Sequence, residues 1–183
     1  MPLHSLQGHS YIRKELAMRY KLSYLTLITI TFFAIICATV CHSAGPIYTG
    51  EVVRVIDGDT IHVKEYATKE LHKVRLYGID APELEQPYGQ NSKAALEAVL
   101  KYHTVQVQVK EKDKYQREIA YVNAKGADIS AFMLQYGYAW HYGCFDSSGF
   151  YKQLELYAKD NRLGLWATDT HIPPWIWRHN NKK

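Results

Sequence analysis

The hydrophobic pattern divides the chain near residue 45. From Leu22 to Gly50 there is no Asp, Glu, Lys or Arg, and Leu25–Val40 reads LTLITITFFAIICATV. Arg13, Lys14, Arg19 and Lys21 precede this run, and His42-Ser43-Ala44-Gly45 follow it. A basic head, an apolar middle and small residues at the end are the parts of a secretory signal peptide. The run is Thr-rich and 16 residues long, short against the roughly 20 that a bilayer span needs. The pattern therefore predicts a cleavable leader over residues 1–44, cut after Ala44, and a secreted or periplasmic product. The alternative is an uncut segment that anchors the chain to the membrane. Met18 would itself make a compact start for such a leader.

Beyond residue 45 the pattern is that of short strands and helices. Tyr48–Ile56 alternates loosely and ends at Asp57-Gly58, after which Thr60–Glu65 continues in the strand idiom. Asp-Gly between two such runs is a hairpin signal. Leu71–Ile79 reads as a third strand, closed by Asp80-Ala81-Pro82. Gln90–Tyr102 places Ala94, Ala95, Leu96, Val99 and Leu100 at helical spacing. Thr104–Lys110 alternates cleanly, and Glu118–Ala124 is a fifth strand. Asp128 can cap a helix through Gln135 that Gly137 ends, and Tyr151–Arg162 is a last helix ended by Gly164. Five strands with a helix after the third, then further helices, predict an α+β fold: a five-stranded OB-type barrel with about three packed helices, in one domain over residues 45–183.

Charge changes the picture little. The whole chain carries 22 basic and 18 acidic residues for a net +4. Four of the basic residues and one acidic residue lie before residue 45, which leaves 18 against 17. Bulk attraction will not hold a nucleic acid, so any such binding needs locally placed Arg and Lys. Cys37 and Cys41 lie in the leader and Cys144 is alone after it, so no intramolecular disulfide is expected in the folded part.

Candidate chemistry gathers in short motifs. Asp59 and Asp80 stand at the ends of different strands, where two carboxylates can converge on one side of a barrel. Hard oxygen ligands of this kind suit Ca²⁺, although paired Asp residues also serve as turn and cap residues. The Asp-Gly turn alone accounts for Asp57. Glu83 follows Asp80 across Pro82, which fixes its path; a carboxylate there can orient or deprotonate a water. It also fits an ordinary surface position. Arg75 and Arg117 offer planar forks matched to phosphate oxygens, or a cross-strand partner and a solvated loop cation. Lys114, Tyr115 and Tyr142 pair aromatics with cations, which suits stacking on unpaired bases.

The four segments Asp57-Gly58-Asp59-Thr60, Arg75-Leu76-Tyr77-Gly78-Ile79-Asp80-Ala81-Pro82-Glu83, Asp113-Lys114-Tyr115-Gln116-Arg117 and Pro173-Pro174-Trp175-Ile176-Trp177-Arg178 occur in this order. In that arrangement the chain resembles the staphylococcal nuclease (thermonuclease) family over about residues 48–178. The resemblance implies a Ca²⁺-dependent, sugar-nonspecific nuclease that cleaves DNA and RNA, single-stranded or frayed by preference, to 3′-phosphorylated products; the alternative is a catalytically inactive OB-fold module that only binds nucleic acid. It implies Asp59, Asp80 and the backbone carbonyl of Ala81 as metal ligands, with Asp57 nearby and outside the direct ligand set. Glu83 becomes the general base, and Arg75 and Arg117 the phosphate clamp. Lys114, Tyr115 and, offset by one position, Tyr142 become substrate contacts. A monomer without a stable protein partner is the family expectation, with membrane contact only if the leader stays. Ala81 stands where the best-known member has Thr, which a carbonyl ligand tolerates. Gln116 and Glu118 flank Arg117 where that member has Gly, so a carboxylate is expected beside the clamp. The rim segment Leu84–Gly89 is shorter and has fewer cations, which implies a stiffer active-site edge. The Trp-rich tail is expected to pack across the barrel.

Overall fold

A computed structural model of the protein describes residues 45–144, 146 and 149–181; the leader expected over residues 1–44 lies outside them. Strands β1 (Ile47–Val55), β2 (Thr60–Glu65) and β3 (Leu71–Leu76) form an antiparallel meander. A two-residue strand β4 (Ile79–Asp80) and helix α1 (Gly89–Leu100) follow. Then come β5 (Thr104–Lys112), β6 (Glu118–Ala124), a short β7 (Ala127–Asp128) and helix α2 (Ile129–Gln135). The chain closes with β8 (Trp140–His141), helix α3 (Gly149–Asp160), a 3₁₀ turn at Gly164–Ala167 and helix α4 (Pro174–Asn180).

The sheet order is β3-β2-β1-β5-β6-β7, and β3 also pairs with β6. That parallel contact, with Arg75 opposite Ile119, closes the sheet into a barrel of five long strands. Closure removes the exposed strand edges that an open sheet would leave. The alternation read in β5 points Val105, Val107 and Val109 inward, where they meet Val52, Ile61, Val63, Val74, Leu76 and Val122, all buried. Leu96 and Leu100 of α1 and Met133 and Leu134 of α2 are fully buried in the same core. Asp128 caps α2 by accepting from the Ala131 N–H at 3.2 Å, as expected from the sequence. Among the described residues no helix is long and apolar enough to cross a membrane.

The expected strand Leu71–Ile79 is two strands. Gly78 turns the chain between them with φ of +76°, and a Cβ there would come within 2.7 Å of the Tyr151 ring. The break lets β4 leave the barrel and pair with β8, Asp80 opposite Trp140. The tail, expected only as a strap, carries a helix of its own. Pro174 starts α4 and is buried, a favourable first helical position because proline has no N–H to leave unpaired.

Candidate active site

The site grows out of the Asp57-Gly58 turn. A Cβ on Gly58 would run into Ser92 Oγ and the Ala81 methyl, so only glycine lets the turn lie this close to α1. Asp57 Oδ1 accepts the Asp59 N–H at 3.0 Å, the local turn bond that Asp commonly makes. Asp59 is thereby set at the mouth of β2 with its side chain buried. Its Oδ1 pairs with Arg75 Nη1 and accepts from Thr60 Oγ1 at 2.9 Å. Its Oδ2 accepts the Ala81 N–H at 2.8 Å. Burial alone would raise the Asp59 carboxyl, but the Arg75 guanidinium and these hydrogen bonds bring it below the usual carboxylate range. Asp57 goes the other way. Burial, and then the charge of Asp59, push it up to about 7.

Arg75, at the end of β3, joins the two acidic strand ends. Its Nη2 donates to Asp80 Oδ1 at 2.8 Å and to the Ile79 carbonyl at 3.2 Å. Asp80 is fully buried. Pro82 then carries the chain to Glu83, whose side chain is 40% exposed. The rim beyond is two linked turns: Gln86 N–H donates to the Glu83 carbonyl and Gly89 N–H to the Gln86 carbonyl, each at 2.9 Å. The buried Gln86 side chain accepts the Glu83 N–H at 3.1 Å and donates to the Ile172 carbonyl of the tail. These bonds tie the short rim segment to itself and to the tail.

The opposite wall is the turn between β5 and β6. Asp113 Oδ1 accepts the N–H groups of Tyr115 and Arg117 at 2.8 and 2.9 Å, and its Oδ2 accepts Arg117 Nε at 2.8 Å. One carboxylate thus shapes the turn and aims the guanidinium, which lies 5.6 Å from the Tyr115 ring centroid; Lys114 Nζ lies 5.0 Å from it. Gln116 holds φ of +63°, a left-handed conformation that glycine adopts without cost. The turn keeps the shape that the family's glycine implies even though a side chain is present. Glu118, expected beside the clamp, faces away from it. Neighbouring strand residues point to opposite sides, and its carboxylate accepts from Tyr48 Oη at 2.7 Å and contacts His72 Nδ1 at 3.0 Å.

These walls enclose one open cleft of about 690 Å³. Asp57, Asp59, Arg75, Ala81, Glu83, Lys114, Tyr115, Arg117 and Tyr142 all line it. Asp80 lies just beneath, in contact through Arg75. Tyr142 takes its place just after β8 and lies tilted against Trp175, with centroids 6.0 Å apart.

Two contributors escaped the sequence reading. Asp113 stood inside a quoted motif, and Asx-type spacing to Tyr115 and Arg117 was the available signal. Arg178 stood at the end of the tail motif without a role. It reaches back across 98 residues to place Nη2 on Asp80 Oδ2 at 2.8 Å and Nη1 on Asp80 Oδ1 at 3.1 Å. Its Nη1 also contacts Glu83 Oε1 at 2.8 Å.

Among the described residues no group of three His, Cys, Asp or Glu side chains is set to hold a metal by itself. The carboxylates of Asp57, Asp59 and Glu83 line the cleft and Asp80 lies beneath it, hard oxygens of the kind Ca²⁺ takes together with water. The residues fit a hard cation in kind.

Carboxylates on one wall and guanidinium groups on both, in a cleft open to a polymer, define a class of protein that works on phosphodiesters. Comparison with known proteins narrows the class. Residues 73–168 match the family described as staphylococcal nuclease homologue. The chain is 34% identical over 158 residues to an uncharacterized endonuclease of Escherichia coli O157:H7, covering 85% of this chain and 97% of that protein. It is 37% identical over 134 residues to an uncharacterized endonuclease of Haemophilus influenzae, covering 73% and 75%. It is 37% identical over 147 residues to a micrococcal nuclease of Shigella flexneri, covering 74% and 83%. The chain belongs to the staphylococcal nuclease family, and it is a nuclease whose substrates are nucleic acids.

Proposed function

We propose that this nuclease is Ca²⁺-dependent, acts on DNA and RNA alike, and leaves 3′-phosphorylated ends. The observation that carries the reading is the meeting of Asp59, Glu83, Arg75 and Arg117 in one open cleft. Asp59, Asp80 and the Ala81 carbonyl would hold Ca²⁺, with Asp57 alongside, and the ion when bound polarises a phosphoryl oxygen. Glu83 holds a water by its carboxylate and takes its proton as the water attacks phosphorus. Its partial exposure keeps that carboxylate within reach of solvent. Arg117, aimed by Asp113 through Nε and donating from Nη1 to Thr60 Oγ1 at 3.5 Å, turns its guanidinium to the phosphate and stabilises charge as the leaving oxygen departs. Arg75 holds Asp59 and Asp80 and adds positive charge beneath the same phosphate. Tyr115 and Tyr142 offer ring faces, and Lys114 a cation, to a base and backbone beyond the scissile bond. A ring can stack on a base only where the base's face is free of its neighbours, which favours single-stranded or frayed substrate.

The apolar, charge-free run before Ala44 supports export of the enzyme, with residues 1–44 as its leader and a monomeric domain following. N-terminal sequencing from the host should begin near Gly45. A start at Met1 or Met18 in the membrane fraction would favour an anchored enzyme.

Digestion of plasmid DNA and of RNA in Ca²⁺, in Mg²⁺ and in chelator tests the catalytic reading. Activity on both substrates in Ca²⁺, little in Mg²⁺, none in chelator, and product ends sensitive to a 3′-phosphatase are expected. Full activity in chelator would refute it.

A further inference from the structure

We propose that Arg178 and the active-site cation are alternative occupants of the Asp80 carboxylate, so that helix α4 holds the site closed to metal until the ion displaces its guanidinium. This rests on the reading of Asp80 as a metal ligand.

The argument begins with the lone pairs of Asp80. A carboxylate offers about four acceptor positions on its two oxygens. Arg75 Nη2 and Arg178 Nη1 share Oδ1, at 2.8 and 3.1 Å, and Arg178 Nη2 takes Oδ2 at 2.8 Å. Arg178 therefore spans both oxygens as a fork, the geometry in which a guanidinium binds a carboxylate best. A cation on Asp80 needs an oxygen at about 2.3–2.6 Å. By that count one position on Oδ2 remains, and a cation entering it would lie against a fork whose charge has the same sign, so ion and Arg178 compete for the carboxylate. Arg178 Nη1 also contacts Glu83 Oε1 at 2.8 Å, so the docked arginine holds the candidate base as well.

One of the two arginines must yield, and their settings differ. Arg75 lies on a central barrel strand, is 15% exposed, and is bound to Asp59, Asp80 and the Ile79 carbonyl. Arg178 is 42% exposed and sits near the end of the last helix. The tail that carries it has other anchors. Trp175 packs on Trp140 with ring centroids 5.7 Å apart and near Tyr142, Pro174 is buried, and Gln86 donates to the Ile172 carbonyl. The arginine can thus swing out and loosen the helix without releasing the tail.

Linkage makes the coupling reciprocal: what the docked arginine costs the ion, the ion costs the docked arginine. The test measures ion binding without nucleic acid, by Tb³⁺ luminescence titration with Ca²⁺ competition. Proteins to compare are the wild type, Arg178→Ala, Arg178→Lys and, as a control for lost charge, Arg162→Ala, whose exposed partner is Asp169. Arg178→Ala should bind the ion about five- to tenfold more tightly. Arg178→Lys, which keeps a charge but loses the fork, should fall between, and Arg162→Ala should match wild type. In wild type, saturating Ca²⁺ should speed amide exchange within residues 174–180 while the barrel strands stay protected. Equal or weaker ion binding by Arg178→Ala, with the wild type still binding, would overturn the competition and leave the metal reading intact. Absence of ion binding by wild type and variants alike would overturn both.

Discussion

Removing Asp113 should silence the enzyme without unfolding it. The Asp113→Ala variant loses hydrogen bonds to the N–H groups of Tyr115 and Arg117 and to Arg117 Nε. The turn lies at the surface, so water can take up the freed N–H groups, and the net cost stays near the lower end of about 0.5–1.5 kcal/mol per hydrogen bond. The third of these bonds is also the Asp113–Arg117 ion pair, whose charge leaves it within the same range at a solvated site. Together these give a stability loss of roughly 1–3 kcal/mol, a fall of several degrees in thermal midpoint. The catalytic cost is larger in relative terms. Arg117 keeps its charge but loses the contact that aims it, and a misplacement of about 1 Å can cost on the order of 10²-fold in rate. Digestion kinetics on single-stranded DNA, beside thermal unfolding, separate the two effects. The decisive measurement is the cycle with Arg117→Ala. If Asp113 works through Arg117, the double variant is no slower than Arg117→Ala alone. A double variant whose loss equals the product of the two single losses would refute the reasoning. So would an Asp113→Ala enzyme that keeps the wild-type rate.

Three further outcomes follow from single positions. Glu83→Gln keeps the size of the side chain and removes the base, so turnover should fall about 10²–10⁴-fold while a nucleotide inhibitor still binds in equilibrium dialysis; near-normal turnover would remove Glu83 from the reaction. Gly58→Ala forces a methyl against Ser92 and Ala81, an overpacking worth about 1–3 kcal/mol, and urea titration should show the lower midpoint; an unchanged midpoint would mean the turn has room to move. Cys144 is exposed and free, so the thermal midpoint should be the same with and without dithiothreitol, and a shift accompanied by a dimer on a non-reducing gel would contradict this.

The parts of the fold legible in the sequence are those where one local signal acts alone. The Asp-Gly turn, the clean alternation of β5 and the Asp128 cap of α2 each needed only neighbouring residues, and each is where the pattern put it. The strand expected over Leu71–Ile79 misread a tertiary effect. Its apolar pattern runs on through Tyr77, but the close approach of Tyr151 to Gly78 requires the turn, and Tyr151 is 73 positions away. Glu118 shows the same limit. Its neighbour Arg117 faces the cleft, and only the pairing of β3 with β6 puts the glutamate beside His72. Local spacing reports which face a residue takes relative to its neighbours, not what that face will meet.

The tail carries that lesson into the active site. Its Pro and Trp residues suggested packing, and packing is most of what they do: Trp175 lies against Trp140, which in turn meets Trp166 at 4.4 Å. The same docking fixes where Arg178 falls. The short rim segment Leu84–Gly89 has no Lys or Arg, and the cation that Glu83 and Asp80 share is Arg178 of the tail. Gln86 bonds both that rim and the tail, through the Glu83 N–H and the Ile172 carbonyl. A positive charge that the rim lacks is thus delivered by a distant helix registered against it. The rim contact and the docked tail are then one arrangement rather than two. Restoring a cation to the rim, as in Leu84→Lys, should compete with Arg178 for Glu83 and loosen α4. Faster amide exchange confined to residues 174–180 would show this, and unchanged exchange there would mean that rim and tail act independently.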